Sequence, residues 1–169
     1  DKLVESGLSS FKIEGRVKSE FYVATVVAAY RRAIDSYLEN PEGWSFKPEW
    51  IDELKKVSHR DYTTGFYFGK PTNSQTYLTA GYVRDYAVAA VVEGYEDGYV
   101  IASLKNKFAA STVLDCLEAK RVPFEVRTEG MQDENGQPLE VANKPTMLIR
   151  IPFERPITVG SLLRMKTDE

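Results

Sequence analysis

The chain has 169 residues, of which 43% are hydrophobic and 28% are charged, a composition typical of a folded globular protein. The net charge of −3 argues against bulk nucleic-acid binding, and the single cysteine, Cys116, excludes an intramolecular disulfide. No apolar run reaches the roughly 18 residues of a membrane span, and no signal-peptide pattern is present. We therefore expect a cytoplasmic protein without a membrane partner.

The first part of the sequence predicts helices around one short strand. Residues 1–6 have the pattern of a helix end, with Gly7 as its C-terminal cap. Alternating apolar and charged side chains predict a strand over residues 10–14. A long helix follows over residues 18–39, and a second helix is predicted over residues 48–57 because Pro48 can open it.

A strand followed by a helix is incomplete without neighbouring strands. We therefore interpret residues 1–78 as the C-terminal end of an α/β, barrel-type core domain, in which an upstream part of the same chain is a partner. Without that upstream part, the helices would expose an apolar surface to water. We therefore predict that the 169-residue chain either folds its helices onto its own barrel or forms a truncation-driven homodimer.

After a domain boundary that we place near residue 79, the periodicity changes to that of short strands. Strands about ten residues apart, with turn signals between them, predict a small antiparallel β-barrel over residues 79–169. The fold class is therefore α+β, with a helical remnant followed by the barrel. The predicted strands cover residues 83–92, 99–104, 112–117, 124–128, 146–151 and 161–165, and residues 94–98 are predicted to form a hairpin turn.

The most distinctive charged segment lies where the first strand gives way to the long helix. Lys12 and Glu14 precede Gly15 in this segment, and Arg16 and Lys18 follow it. Basic groups at a strand end and helix start are typical of anion sites in α/β proteins. Glu14 could act as a general base, and Arg16 could hold a carboxylate or phosphate. The alternative is a structural ion-pair network of these side chains.

A second polar stretch contains His59, the only histidine of the chain, beside Arg60. Both are candidate substrate-binding residues, although a lone histidine could equally be a hydrogen-bonded linker residue. The aromatic side chains of Tyr62 and residues 66–68 are predicted to pack between the two parts. One cysteine and one histidine do not complete a transition-metal site, so we expect no metal and no cofactor in this chain.

The motif SFKIEGRVKSEFYVATVVAAYRRAID, followed by VSHRDYTTGFYFG, resembles the peptidase U32 family, the collagenase-like proteases. The resemblance covers about residues 1–70. Residues 80–169 resemble the family's C-terminal β-barrel, which is similar to the second domain of translation elongation factors. The resemblance to the peptidase U32 family implies that Lys12, Glu14, Arg16 and Lys18 lie at the mouth of an upstream catalytic barrel.

Three functions compete, of which the resemblance implies the first two. The protein could be the C-terminal part of a collagenase-like peptidase, with the β-barrel as an accessory module that binds a peptide substrate or partner. It could instead be part of a tRNA or rRNA hydroxylation factor, whose iron–sulfur cluster would be bound by four cysteines upstream of Asp1. The third hypothesis is a non-catalytic docking module. In the first two, the parent is an enzyme and this piece alone is inactive.

Overall fold

A computed structural model describes residues 1–60, 62–70 and 85–167 of the chain. Within these residues, helices come first and strands follow. The helices are α1 (Lys2–Glu5), α2 (Glu20–Glu39) and α3 (Pro48–Lys55). The strands are β1 (Tyr86–Glu96), β2 (Tyr99–Leu104), β3 (Phe108–Ala109), β4 (Val113–Leu117), β5 (Phe124–Arg127), β6 (Gln132–Asp133), β7 (Val141–Ala142), β8 (Leu148–Pro152) and β9 (Leu162–Lys166).

Helix α2 begins where its sequence supplies a cap. The Ser19 hydroxyl accepts a hydrogen bond from the Tyr22 backbone N–H at 3.2 Å, which satisfies one of the free donors of the first turn. One face of α2 packs on α3 and the residues that follow it. The result is a small apolar core in the helical part, whose buried members are Val26, Ala29, Leu54 and Val57.

Seven of the strands form one antiparallel sheet in the order β5-β4-β9-β1-β2-β8-β6, and β3 pairs with β7. The sheet curls around its own apolar core, which includes Val92, Leu114, Ile149 and Leu163. Strands β5 and β6 are its two edges, so the barrel is open and forms a half-barrel. The predicted α+β class, with helices followed by an antiparallel barrel, is confirmed.

The first hairpin shows how local chemistry sets the strand register. Its turn is confined to Asp97 and Gly98, which both have positive φ angles of 49° and 82°, as a two-residue hairpin turn requires. The prediction of a turn over residues 94–98 is therefore too long, because β1 continues to Glu96. Gly94 instead follows a register shift in the β1–β2 pairing, where a β-bulge inserts one residue.

The strand predicted over residues 10–14 is wrong. These residues have no regular secondary structure, because a strand requires backbone partners and none of the described residues pairs with them. The predicted domain boundary near residue 79 lies outside the described residues. Of the helices in the described part of the chain, none combines the length and apolar character needed to cross a membrane.

Candidate functional site

The charged segment predicted as a site lies on the surface before α2. Lys12 Nζ lies 3.5 Å from Glu14 Oε2, and both side chains are largely exposed. Glu14 Oε1 also accepts a hydrogen bond from the Arg16 backbone N–H at 3.1 Å. The Lys18 ammonium lies over the Tyr22 ring, 5.0 Å from its centre. Lys12, Glu14 and Arg16 thus form one local cluster, in which Arg16 contributes its backbone.

His59 belongs to a separate cluster after α3. Its Nδ1 lies 2.8 Å from the Val57 carbonyl oxygen, so Nδ1 carries the proton in this contact. The imidazole stacks on the Tyr62 ring with centres 5.0 Å apart, and the Tyr62 hydroxyl donates to the Leu54 carbonyl at 2.8 Å. These contacts hold the residues after α3 against the C-terminal end of that helix. The neighbouring Arg60 is exposed.

Many apolar side chains of the helical part are exposed, and some of them lie within the charged segment. Val17 is 96% exposed, and at φ 62° it has a backbone conformation that β-branched residues rarely adopt. The predicted packing of residues 66–68 between the two parts is wrong, because Phe66, Tyr67 and Phe68 are exposed in a turn bounded by glycines with positive φ. We call the following residues the N-terminal apolar surface: Phe11, Ile13, Val17, Val23, Val27, Tyr30, Leu38, Phe66, Tyr67 and Phe68.

A buried ionic network joins the helical part to the half-barrel. Arg164 of β9 is fully buried, and its guanidinium donates to Glu53 of α3 at 2.5 Å and to Asp115 of β4 at 2.7 Å. Lys56 bridges the same two carboxylates at 3.0 and 2.6 Å. Thr25 of α2 accepts a further hydrogen bond from Arg164 at 3.4 Å. Helix α2, helix α3 and strand β4 are thereby all linked to Arg164 on the outer face of β9.

The environment of Glu53 favours its ionised form. Burial by itself would raise the pKa of Glu53, but the hydrogen bonds and positive charges of Arg164 and Lys56 outweigh it and lower this pKa below its ordinary value. The network is therefore charged at neutral pH. Sequence reasoning missed it, since a single arginine in an otherwise apolar strand was its only signal.

Next to this network lies a groove formed by two adjoining clefts. The larger, of about 780 Å³, is lined by residues of the half-barrel that include Lys107 and Arg164. The smaller, of about 430 Å³, lies between α3 and the half-barrel. Both clefts are lined by Tyr86, Lys166 and Thr167, so they are continuous, and we call them together the junction groove. Its residues were not among those predicted from the sequence.

Cys116 lies inside the half-barrel core and is fully buried. Burial raises the pKa of its thiol to about 12 from an ordinary 9.0, and the carboxylates of Glu118 and Asp115 act in the same direction. The described part of the chain contains no group of three or more His, Cys, Asp or Glu side chains placed to hold a metal ion. The geometry assigns Cys116 a packing role.

We expect the Cys116 thiol to resist alkylation and disulfide exchange in the native protein. At pH 8 its thiolate population is roughly a thousandfold smaller than that of a thiol of ordinary pKa, and burial also blocks access. Reaction with a chromogenic disulfide reagent, followed in native buffer and in guanidinium chloride, measures this. Stoichiometric reaction within minutes in native buffer would contradict the buried position.

Comparison with known proteins gives matches along nearly the whole chain. The model of peptidase family U32 matches residues 1–77, and that of the peptidase family U32 C-terminal domain matches residues 84–164. The tRNA hydroxylation protein P1 of Bacillus subtilis is 31% identical over 166 residues, which are 96% of this chain and 39% of that protein.

Two further relatives differ in how much of this chain they match. The tRNA hydroxylation protein P of Escherichia coli is 25% identical over 170 residues, covering 98% of this chain and 36% of that protein. A collagenase of Porphyromonas gingivalis is 31% identical over 77 residues, covering 46% of this chain and 21% of the collagenase. The chain thus spans well under half the length of each of these three relatives.

Proposed function

The chain belongs to peptidase family U32, and from this membership we propose that it is the C-terminal part of a tRNA hydroxylation protein. The observation that carries the proposal is the extent of the similarity. The Bacillus subtilis tRNA hydroxylation protein matches 96% of this chain, which includes both the helical part and the half-barrel. The collagenase matches 46% of it. A tRNA substrate also agrees with a cytoplasmic location.

In this proposal the helical part contacts an upstream core domain of the same protein. Three members of the N-terminal apolar surface, Phe11, Ile13 and Val17, are interleaved in sequence with Lys12, Glu14 and Arg16, so a domain packed on them would bring these charged groups to the edge of its site. Covering such a surface is favourable, since each large apolar side chain removed from water contributes about 1.5–3 kcal/mol. Glu14 and Arg16 would then act as positioning groups at that edge.

An iron–sulfur cluster bound by four cysteines does not fit the residues of this chain. Cys116 is its single cysteine, and the thiol is fully buried in the half-barrel core. Cluster ligation requires several thiolates converging on one point. Any such ligands would have to come from outside this sequence, and the role proposed for this chain is to bind and orient the RNA.

The proposed function predicts that deleting the gene abolishes one hydroxylated nucleoside in bulk tRNA. Mass spectrometry of digested tRNA from deletion and complemented strains measures this, and complementation should restore the nucleoside. Gelatin hydrolysis by the same purified protein is the parallel assay, because the similarity to a collagenase favours a peptidase as the second candidate. An unchanged nucleoside profile together with gelatin cleavage would overturn the proposal in favour of that candidate.

A further inference from the structure

We propose that the junction groove binds a single-stranded segment of RNA, with Lys107 and Lys166 contacting phosphates and Tyr86 stacking against a base. The inference rests on the proposed function, because it locates the RNA substrate on this chain. The groove is a continuous concave surface, and the volume of its larger cleft, about 780 Å³, is within the range of ligand-binding pockets.

The unpaired charge inside the groove is mainly positive. Three of its carboxylates are already engaged by basic side chains: Asp115 at 2.6 and 2.7 Å, Asp52 at 3.0 Å and Glu125 at 3.7 Å. Lys107 and Lys166 are exposed, and within the described part of the chain neither forms an ion pair. Phosphates therefore meet two available ammonium groups, although the whole chain is acidic.

One carboxylate, that of Asp85, lies in the smaller cleft and is exposed. The Lys55 and Lys56 side chains line the same cleft, so basic groups still outnumber acidic ones there. Among all the charged residues that line the groove, basic side chains exceed acidic ones by one. This local excess favours a polyanion that lies along the groove over an acidic or neutral peptide.

Tyr86 supplies the flat apolar surface that a base requires. The residue is half-buried and lines both clefts, so its ring lies where they meet. The Lys56 ammonium lies 5.4 Å from the ring centre, and the Asp115 and Glu53 carboxylates hold that ammonium in place. A ring fixed in this way is a suitable stacking platform, because every base has a face that stacks on an aromatic ring.

The wall of the larger cleft also contains a donor without an acceptor. Arg164 lines this cleft and is fully buried, yet its Nε–H has no hydrogen-bond partner among the described residues. A buried N–H of this kind is rare, and it is satisfied when a ligand oxygen or a bridging water reaches it. Because this Nε–H is shielded from the cleft, a phosphate or sugar oxygen would reach it only after a side chain of the cleft wall moved aside.

Fluorescence anisotropy with a labelled 12-nucleotide single-stranded RNA tests the proposal on the full chain. The double variant Lys107→Glu/Lys166→Glu should weaken binding at least tenfold, and it should lower the slope of log affinity against log salt by about 1.4. Tyr86→Leu should weaken binding roughly fivefold or more without changing that slope, because stacking releases no counterions. The matched control is Lys120→Glu/Lys144→Glu, which changes the net charge equally at two exposed lysines outside the groove.

Equal RNA affinities of the groove variant and the control variant would overturn the groove as the RNA site. Competition of an unlabelled collagen-like peptide with the RNA at similar concentration would also overturn it, and would assign the groove to peptides. These results are independent of the proposed function. The groove inference is decided by binding of purified variants, whereas the proposed function is decided by the nucleoside profile of the deletion strain.

Discussion

Replacement of Arg164 by methionine is expected to lower the free energy of unfolding by about 3–5 kcal/mol. The substitution leaves Glu53 buried without its closest cationic partner and leaves Asp115 with Lys56 alone. Urea denaturation followed by far-ultraviolet circular dichroism measures the loss. Tryptophan fluorescence reports the helical part separately, since both tryptophans, Trp44 and Trp50, lie in it.

The control for this prediction removes both charges of the closest pair. In Arg164→Met/Glu53→Met apolar side chains fill the buried space, and both partners of the Lys56–Asp115 pair, which are 2.6 Å apart in the wild type, are kept. The double variant should recover most of the lost stability, because an apolar replacement of a complete ion pair is often neutral. A loss below about 1 kcal/mol in the single variant would be typical of a solvated pair and would contradict the buried position of Arg164.

The same network predicts how the stability difference between the wild type and Arg164→Met depends on pH. The pKa of Glu53 is lower in the folded protein than its ordinary value of 4.5, so its ionisation contributes stability above that pH. The contribution is lost as the pH falls through the lowered pKa of the folded state. The stability difference between the wild type and Arg164→Met should therefore be largest near neutral pH and should shrink as the pH falls below 4.5 towards the lowered pKa of the folded state.

Elements with a strong local signal could be predicted from the sequence. Helix α2 was predicted over residues 18–39 and is observed over Glu20–Glu39, because Ser19 caps it and Asn40-Pro41 ends it. Strand β2 was predicted over residues 99–104 and has those bounds. Strands β3, β6 and β7 were missed because each has two residues, too few to show any periodicity.

The junction groove could not be predicted because its residues converge from distant parts of the sequence. Leu163 and Arg164 are adjacent in β9 and both fully buried, but neighbouring side chains of a strand point to opposite faces. One face belongs to the barrel core and the other meets α3. Nothing in the sequence near Arg164 indicates that a helix covers it, so burial of the arginine follows from tertiary packing alone.

Residues 79–169 are expected to fold without residues 1–78, whereas the helical piece is expected to be unfolded alone. The half-barrel core draws its buried members only from residues after 85. The helical core has four buried apolar residues. Most of the stability of a protein helix comes from tertiary packing, and a core of this size supplies little of it to α2 and α3 once the half-barrel is absent.

Separate expression of the two pieces, each studied by circular dichroism and urea denaturation, tests this division. The barrel piece should unfold cooperatively, and Arg164→Met should have little effect in it, because without α3 the guanidinium is exposed to water. The same substitution in the full chain should cost the several kcal/mol expected of a buried pair. A helical piece that is well folded alone, beside a barrel piece without a cooperative transition, would show that the helices support the half-barrel and not the reverse.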